Sequence, residues 1–214
     1  MKLRHIAIAL GAVLLTEIVA FNCIITATQP TSKIEEPEML VVKDTPAVRK
    51  YEWPPLYYQF DDRWADCPYA GGTIEDNGCG LSAFASALSY KSQCEITPDA
   101  LSKIVGDSCL TAGVNDIGKF LEFFKDDYKL VYSDIFYLRE QALQRLHEGY
   151  IIFAGVKGTV GRESYGGHIV LLWEAYGRIN MLDPASDTNG GLTEEEFNAA
   201  GFIYFYWMKV PMFG

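Results

Sequence analysis

The segment His168–Leu182, with the sequence HIVLLWEAYGRINML, decides the fold class of this chain. Two runs of mostly apolar residues are separated by Gly177, which is typical of two antiparallel strands joined by a tight turn. Further strands are predicted at Tyr150–Val156 and Phe202–Val210, and the aromatic composition of the latter indicates a strand buried on both faces. The C-terminal part of the chain is therefore expected to form an antiparallel sheet.

Helices are predicted before this sheet. Apolar residues at helical spacing or helix-capping residues indicate four of them: Gly80–Tyr90, one that begins at Thr97-Pro98-Asp99, Asn115–Phe124, and Leu138–His147. Helices that come first and an antiparallel sheet that follows predict an α+β fold.

The composition excludes several classes of function. The 214 residues carry a formal net charge of −10 and are 49% hydrophobic, which fits one folded domain with short extensions. A chain this acidic repels phosphate, so general nucleic-acid binding is not expected. The five cysteines form no CxxC pair and there are only three histidines, which argues against a zinc finger.

The N-terminus has the pattern of an export signal, because basic residues precede the apolar run Ile6–Ala27. This run is long enough to span a bilayer at about 1.5 Å per residue, although Glu17 interrupts it. Residues 1–27 are therefore an uncleaved signal anchor (a transmembrane segment) or a cleaved signal peptide, with lipidation of Cys23 as a third alternative. The rest of the chain is expected on the extracellular side of the cell membrane, either anchored or secreted.

Two regions follow the export segment. Prolines and glutamates predict an extracellular linker over residues 28–50. The folded domain is expected over residues 51–214, and no internal repeat interrupts it.

Cys79 is the candidate nucleophile. It lies in the turn-forming sequence Asp76-Asn77-Gly78-Cys79-Gly80, and a helix of small residues begins directly after it. Unpaired N–H groups at a helix N-terminus stabilise an anion, so a thiol at this position is expected to ionise and to act as a nucleophile. A buried structural cysteine, or half of a disulfide, is the alternative.

His168 is the candidate base, because a thiol nucleophile needs an imidazole within hydrogen-bond reach. It follows Gly166-Gly167 at the start of a predicted strand, where the glycines leave space around it. His147 lies in a charged helix, where a solvated surface histidine is expected, and His5 precedes the export segment. The alternative for His168 is a structural histidine.

Asp183 is the candidate orienting acid. It ends the strand that follows the His168 strand, and antiparallel pairing returns the chain towards His168. A carboxylate there would orient the imidazole and stabilise its charged form. The alternatives are that Asp183-Pro184 only ends a strand, or that Asn180 orients the imidazole through its amide.

Four segments in this order resemble one family: Tyr57–Trp64 (YYQFDDRW), Asn77–Ala83 (NGCGLSA), Gly167–Val170 (GHIV) and Leu182–Pro184 (LDP). Together they resemble the C39-like, papain-like cysteine peptidases, over the chain from about Tyr57 to its end. The chain has no nucleotide-binding P-loop, so the resemblance is to a stand-alone type without a transporter. It implies a papain-like fold for residues 51–214, with N-terminal helices packed on the C-terminal sheet.

The same resemblance implies the roles of four residues. Cys79 would be the nucleophile, His168 the general base and acid, and Asp183 the orienting acid. Gln59 would donate a side-chain N–H to the oxyanion hole, with the Cys79 backbone N–H as second donor. Gln59 lies farther before the cysteine than in many papain-like enzymes, so a turn residue is the alternative.

The predicted reaction is hydrolysis of a peptide bond by acyl transfer, which needs no metal or cofactor. Glu75, Asp76 and Asn77 lack the spacing of a calcium loop. The expected partners are a peptide or protein substrate and, through residues 1–27, the membrane. The alternatives are a cell-wall peptidoglycan amidase or endopeptidase with the same Cys-His pair, and a non-catalytic peptide-binding module.

The other cysteines and the aromatic residues near Tyr57 permit two further expectations. Cys67, Cys94 and Cys109 allow one disulfide, with Cys94–Cys109 favoured. The aromatic residues line a peptide groove or, as is more common, pack in the core or at its rim: Trp53, Tyr57, Tyr58 and Trp64.

Overall fold

The computed structural model describes residues 50–188 and 190–210. The predicted export segment and all but the last residue of the predicted linker lie outside this part of the chain. Within it, no helix is both long enough and apolar enough to cross a membrane.

The described residues form a mixed α+β fold. The helices are α1 (Ile74–Asn77), α2 (Cys79–Ser92), α3 (Pro98–Val105), α4 (Ile117–Phe124), α5 (Arg139–His147) and α6 (Glu194–Ala199). Two small hairpins consist of β1 (Pro68–Tyr69) with β2 (Gly72–Thr73), and β3 (Leu110–Thr111) with β4 (Val114–Asn115). The main sheet contains β5 (Ile151–Val160), β6 (Glu163–Ala175), β7 (Arg178–Leu182) and β8 (Phe202–Met208).

The main sheet is antiparallel throughout, in the order β7-β6-β5-β8. β7 has its predicted bounds and pairs with β6 so that Leu182 lies opposite Leu171. β6 begins earlier than predicted, at Glu163, so His168 lies inside the strand opposite Val156 and not at its start. The end of β5 and the start of β6 extend as a largely exposed hairpin, whose polar residues give no apolar signal in the sequence.

β8 is an edge strand, and the expectation that it is buried on both faces is wrong because only Phe202, Phe205 and Met208 of its seven residues are buried. It pairs with β5 on one side, and Ile203 is 46% exposed. Backbone bridges from Tyr132 to Met208 and from Phe136 to Phe205 cover part of its outer edge. The aromatic residues of β8 therefore belong partly to the core and partly to the surface.

Helices cover both faces of this sheet, which differs from the expected N-terminal helices on a C-terminal sheet. On one face Phe84 of α2 stacks on Phe120 of α4 and on Phe153 of β5, with ring centroids 5.0 and 5.6 Å apart. On the other face Leu146 of α5 and Phe197 of α6 are fully buried in a second cluster. α6 follows β7 in the chain, so the helices do not all precede the sheet.

α2 is the central helix, and its residues from Gly80 to Tyr90 are all buried. Its first turn packs very closely on its neighbours. A Cβ atom at Gly80 would lie 2.5 Å from Asn115 and 3.0 Å from Ile169. Glycine at this position therefore allows β4 and β6 to approach the N-terminus of α2.

The predicted Cys94–Cys109 disulfide is wrong, because Cys67, Cys79, Cys94 and Cys109 are all free thiols. Cys94 is exposed after the end of α2, whereas Cys109 is fully buried in the core. Burial raises the pKa of the Cys109 thiol to about 11, so this thiol stays protonated and inert at neutral pH.

The four aromatic residues considered for a peptide groove divide between core and surface. Tyr57 and Trp64 are buried and meet edge to face, with ring centroids 5.5 Å apart. Tyr58 is half-buried, and Trp53 is exposed beside Tyr176. Tyr57 and Trp64 are therefore core residues.

Candidate active site

Cys79 is the first residue of α2, as the sequence predicts. The preceding residues form the short helix α1 rather than a simple turn, and Gly78 separates the two helices. The Gly78 N–H donates to the Ile74 carbonyl at 2.7 Å and so closes α1. Because Cys79 begins α2, its own N–H has no carbonyl acceptor within that helix and points out of its positive end.

His168 and Asp183 form a buried pair. The His168 Nε2 atom lies 2.7 Å from the Asp183 Oδ1 atom, and the side chains are 5% and 0% exposed. The Ala185 N–H donates to the same oxygen at 3.0 Å. The carboxylate therefore fixes the imidazole ring through Nε2 and leaves Nδ1 to face another group.

The Cys79 thiol lies close enough to His168 to raise the pKa of the imidazole. Burial alone lowers the pKa of His168. The interactions with Asp183 and Cys79 outweigh burial and raise this pKa from 6.5 to about 9. The imidazole is therefore held in its charged form at neutral pH, between a carboxylate and a thiol.

Tyr165 completes the surroundings of the imidazole, and the sequence analysis does not identify it. Its ring stacks on the His168 ring with centroids 4.1 Å apart, and its hydroxyl donates to the Asp183 Oδ2 atom at 2.7 Å. Burial, followed by this hydrogen bond, raises the pKa of the Tyr165 hydroxyl. Tyr165 therefore shields the imidazole and satisfies the second oxygen of its partner.

A β-bulge explains why Tyr165 and His168 share one side of the strand. Residues three apart in a regular strand point to opposite faces. Between the pairs Val156–His168 and Gly158–Tyr165, β6 contains one residue more than β5. The extra residue falls at Gly166-Gly167 and turns the Tyr165 side chain back towards His168.

Asn115 is a second site residue that the sequence analysis does not identify. Its Oδ1 atom accepts from the buried Tyr69 hydroxyl at 2.8 Å, and its Nδ2 atom donates to the Asn77 carbonyl at 2.7 Å. The same Nδ2 atom lies 3.9 Å from the Cys79 Sγ atom. The amide therefore reaches the sulfur from β4, an element with no chemical motif in its sequence.

Gln59 lies beside the chain segments that carry the candidate residues. Its backbone N–H donates to the Pro184 carbonyl at 2.8 Å, and its side-chain N–H donates to the Glu75 carbonyl. Gln59 thus ties the segment after Asp183 to α1, and one amide hydrogen is used for this link. Its predicted role in an oxyanion hole stays a prediction.

The competing residues lie elsewhere. The His147 Nδ1 atom contacts Glu174 at 2.6 Å on the surface of α5. The Asn180 amide donates to the carbonyls of Ala175 and Arg178. The described hydrogen bonds therefore do not place Asn180 against His168.

No cluster of metal-binding side chains occurs among residues 50–188 and 190–210. The chemistry that the site offers consists of a thiol, an imidazole, a carboxylate and nearby N–H donors. Such a set can carry out nucleophilic attack and proton transfer.

Comparisons with known proteins include a similarity to a solved structure. No protein-family model and no curated protein sequence matches this chain. A solved structure that resembles it is the crystal structure of a double glycine motif protease from an AMS/PCAT transporter in complex with the leader peptide. The TM-score is 0.43 at 18% sequence identity, over 62% of this chain and 84% of that chain. A likeness this weak does not establish the family of the chain.

Proposed function

We propose that this protein is a thiol hydrolase that cleaves peptide bonds through Cys79, His168 and Asp183. The observation that carries the proposal is the position of the His168 ring, which is hydrogen-bonded to a buried carboxylate and lies beside a free thiol that helps to raise its pKa. A purely structural histidine has no need of a free thiol at a helix N-terminus as its partner. The arrangement matches the nucleophile, base and orienting acid of an acyl-transfer site.

The proposed reaction has two halves. The Cys79 thiolate attacks the peptide carbonyl, the S–C bond forms, and the carbonyl oxygen becomes an oxyanion that the Cys79 N–H stabilises. His168 then gives its proton to the leaving amine as the C–N bond breaks. Water attacks the thioester with His168 as base, the S–C bond breaks, and the carboxylic acid leaves the Cys79 thiolate beside the charged imidazole, as at the start.

The buried Asp183 supports both halves of this reaction. Its carboxylate keeps the ring oriented through Nε2 and stabilises the imidazolium form that donates the proton. Tyr165 excludes water from one face of the ring, which strengthens these electrostatic interactions.

From the sequence we further propose that the protein is a stand-alone C39-like peptidase. It acts on peptide or protein substrates, and Gln59 is an oxyanion donor. We also include a location on the extracellular side of the membrane, as an anchored or secreted protein. This location depends on residues 1–27 alone.

The test compares Cys79 with Cys94, which is a free and exposed thiol in the same domain. Limiting iodoacetamide is expected to alkylate Cys79 at least about tenfold faster than Cys94 at neutral pH, because Cys79 begins a helix and lies beside His168, whereas Cys94 follows the end of α2. Mass spectrometry of the digested protein measures both rates. Cys79→Ala is expected to abolish hydrolysis of a proteome-derived peptide mixture, and Cys94→Ala is expected to preserve it.

The opposite results would contradict the proposal. A Cys79 thiol no more reactive than Cys94, together with no cleavage of peptides, would indicate a binding module. Cleavage of peptidoglycan fragments but not of the peptide mixture would identify the cell-wall hydrolase and reject the peptidase.

A further inference from the structure

A second oxyanion donor is needed if the proposed function holds, and this inference rests on that function. One donor, the Cys79 backbone N–H, is supplied by the start of α2. A single N–H is a weak oxyanion hole, because such sites generally use two or more donors directed at the oxygen. The Gln59 amide is a proposed donor, but it bonds the Glu75 carbonyl, and no hydrogen bond described for residues 50–188 and 190–210 joins it to Cys79.

The amide of Asn115 has a fixed orientation. The Tyr69 hydroxyl donates to Oδ1, and the carbonyl of Asn77 can accept only from Nδ2. A flipped amide would place Oδ1 against the Asn77 carbonyl oxygen, where neither atom can donate, so this contact fixes the orientation, and the Tyr69 hydroxyl then donates to Oδ1. The nitrogen of Asn115 therefore faces the sulfur.

This nitrogen retains a hydrogen for a second acceptor. An amide nitrogen carries two hydrogens, and the contact with Asn77 uses one of them. The distance of 3.9 Å from Nδ2 to the Cys79 Sγ atom is long for a strong hydrogen bond. This distance leaves room for an oxygen bonded to the carbon that the sulfur attacks. Oxyanion donors act about 3 Å from that oxygen.

We propose that Asn115 is a further catalytic residue, which donates its second amide N–H to the oxyanion that forms when the Cys79 sulfur attacks a carbonyl. Tyr69 is the positioning residue that holds the amide, and it is buried in the core. Gly80 gives the space for this approach, because any larger residue would collide with Asn115. The donor is thus fixed before the substrate arrives, as an efficient oxyanion hole requires.

Two reactions of Cys79 separate this role from a merely structural one. p-Nitrophenyl acetate acylates the sulfur: the S–C bond forms, the ester C–O bond breaks, and p-nitrophenolate leaves after an oxyanion has formed. Iodoacetamide alkylates the same sulfur by displacing iodide and forms no oxyanion at the attacked carbon. An oxyanion donor therefore affects the first reaction and not the second.

Asn115→Ala is expected to slow acylation of Cys79 by p-nitrophenyl acetate by about 10²-fold, the effect of losing one oxyanion donor. Alkylation by iodoacetamide is expected to stay within about threefold of the wild-type rate. Asn115→Asp keeps the shape of the side chain but removes the donor, so it is expected to show at least the same loss of acylation. Asn180→Ala is the matched control, because it also removes an amide bonded to backbone carbonyls, and it should leave both rates unchanged.

The outcomes distinguish this inference from the proposed function. If p-nitrophenyl acetate does not acylate Cys79 in the wild-type protein, the hydrolase itself is rejected. If it does, but Asn115→Ala changes acylation by less than about threefold, only the role of Asn115 is rejected. Equal losses in both reactions would also reject it, because they would show that Asn115 positions the sulfur.

Discussion

Two histidines of this domain contact a carboxylate at nearly the same distance in very different surroundings. His168 lies 2.7 Å from Asp183 with side-chain exposures of 5% and 0%, and His147 lies 2.6 Å from Glu174 with exposures of 46% and 26%. Water competes for the second pair and screens it, whereas the first pair is isolated from solvent. Burial therefore distinguishes the two sites, and the contact distance does not.

The groups around each ring explain this difference. His168 lies among Asp183, Tyr165 and Cys79, which cover the ring. His147 lies at the end of α5, where Glu174 and Glu194 face it from the surface. A buried ion pair loses much more than an exposed pair when one partner is removed.

Replacement of each histidine by alanine is expected to give the largest contrast. His168→Ala should reduce acylation of Cys79 at least about 10³-fold, because no group remains to take and return the proton. It should also lower the free energy of unfolding by about 3 kcal/mol, since Asp183 is left buried without its cationic partner. His147→Ala should preserve the activity and cost at most about 1 kcal/mol. Acylation kinetics and urea unfolding measure both quantities, and equal losses in the two variants would contradict the comparison.

The pH dependence of stability provides a second contrast. The pKa of His168 is about 9 in the folded protein and 6.5 as its ordinary value. The stabilisation from this group is therefore complete below about pH 6.5 and is lost as the pH rises through about 9. Across that interval the native state binds the extra proton, so the free energy of unfolding should fall by up to about 1.4 kcal/mol per pH unit.

Urea unfolding of the wild type and of His168→Ala at about pH 6 and about pH 9 measures this dependence. The variant is expected to lose the part of the slope that His168 contributes, whereas His147→Ala is expected to keep it. A slope that is the same in the wild type and in His168→Ala would show that His168 does not gain a proton on folding.

The smallest expected effect concerns two tyrosines that donate to carboxylates. The Tyr165 hydroxyl donates to buried Asp183 at 2.7 Å, and the Tyr176 hydroxyl donates to Glu52 at the surface at 3.3 Å. Tyr165→Phe keeps the stacked ring and should lower the free energy of unfolding by about 1.5 kcal/mol, with a fall of a few fold in acylation of Cys79. Tyr176→Phe should change stability by less than about 0.5 kcal/mol. Similar small changes in both variants would show that the Tyr165 hydroxyl contributes little beyond its ring.

Much of the fold follows from local patterns in the sequence. The helices α2, α3, α4 and α5 begin within two residues of the predicted positions, because their apolar spacing and caps are local properties. α6 is missed although Thr193 and Glu196 form a capping box. Phe197 is its single buried residue, which is too little for an apolar period to be recognised.

Some site residues also follow from local sequence patterns, and others depend on tertiary packing. Cys79, His168 and Asp183 can be proposed from the sequence because a thiol, an imidazole and a carboxylate are typical catalytic groups. Each also lies at the start of a predicted helix, or in or at the end of a predicted strand. Tyr165 depends on a bulge whose extra residue is set by the pairing of β6 with β5, and strand alternation alone predicts the wrong face for it. Asn115 reaches Cys79 from a two-residue strand far away in the chain, and only the packing of β4 against Gly80 reveals the contact.

The bulge at Gly166-Gly167 also divides the β5–β6 hairpin into a part that does not tolerate insertions and a part that does. Toward the core, the register fixes Tyr165 and His168, so insertion of a single residue between them would rotate the tyrosine away from the imidazole. Beyond Tyr165, the tip around Gly161 and Arg162 is exposed. The tip is therefore the position at which a loop of different length, an epitope tag or a fluorophore can be introduced without disturbing the imidazole.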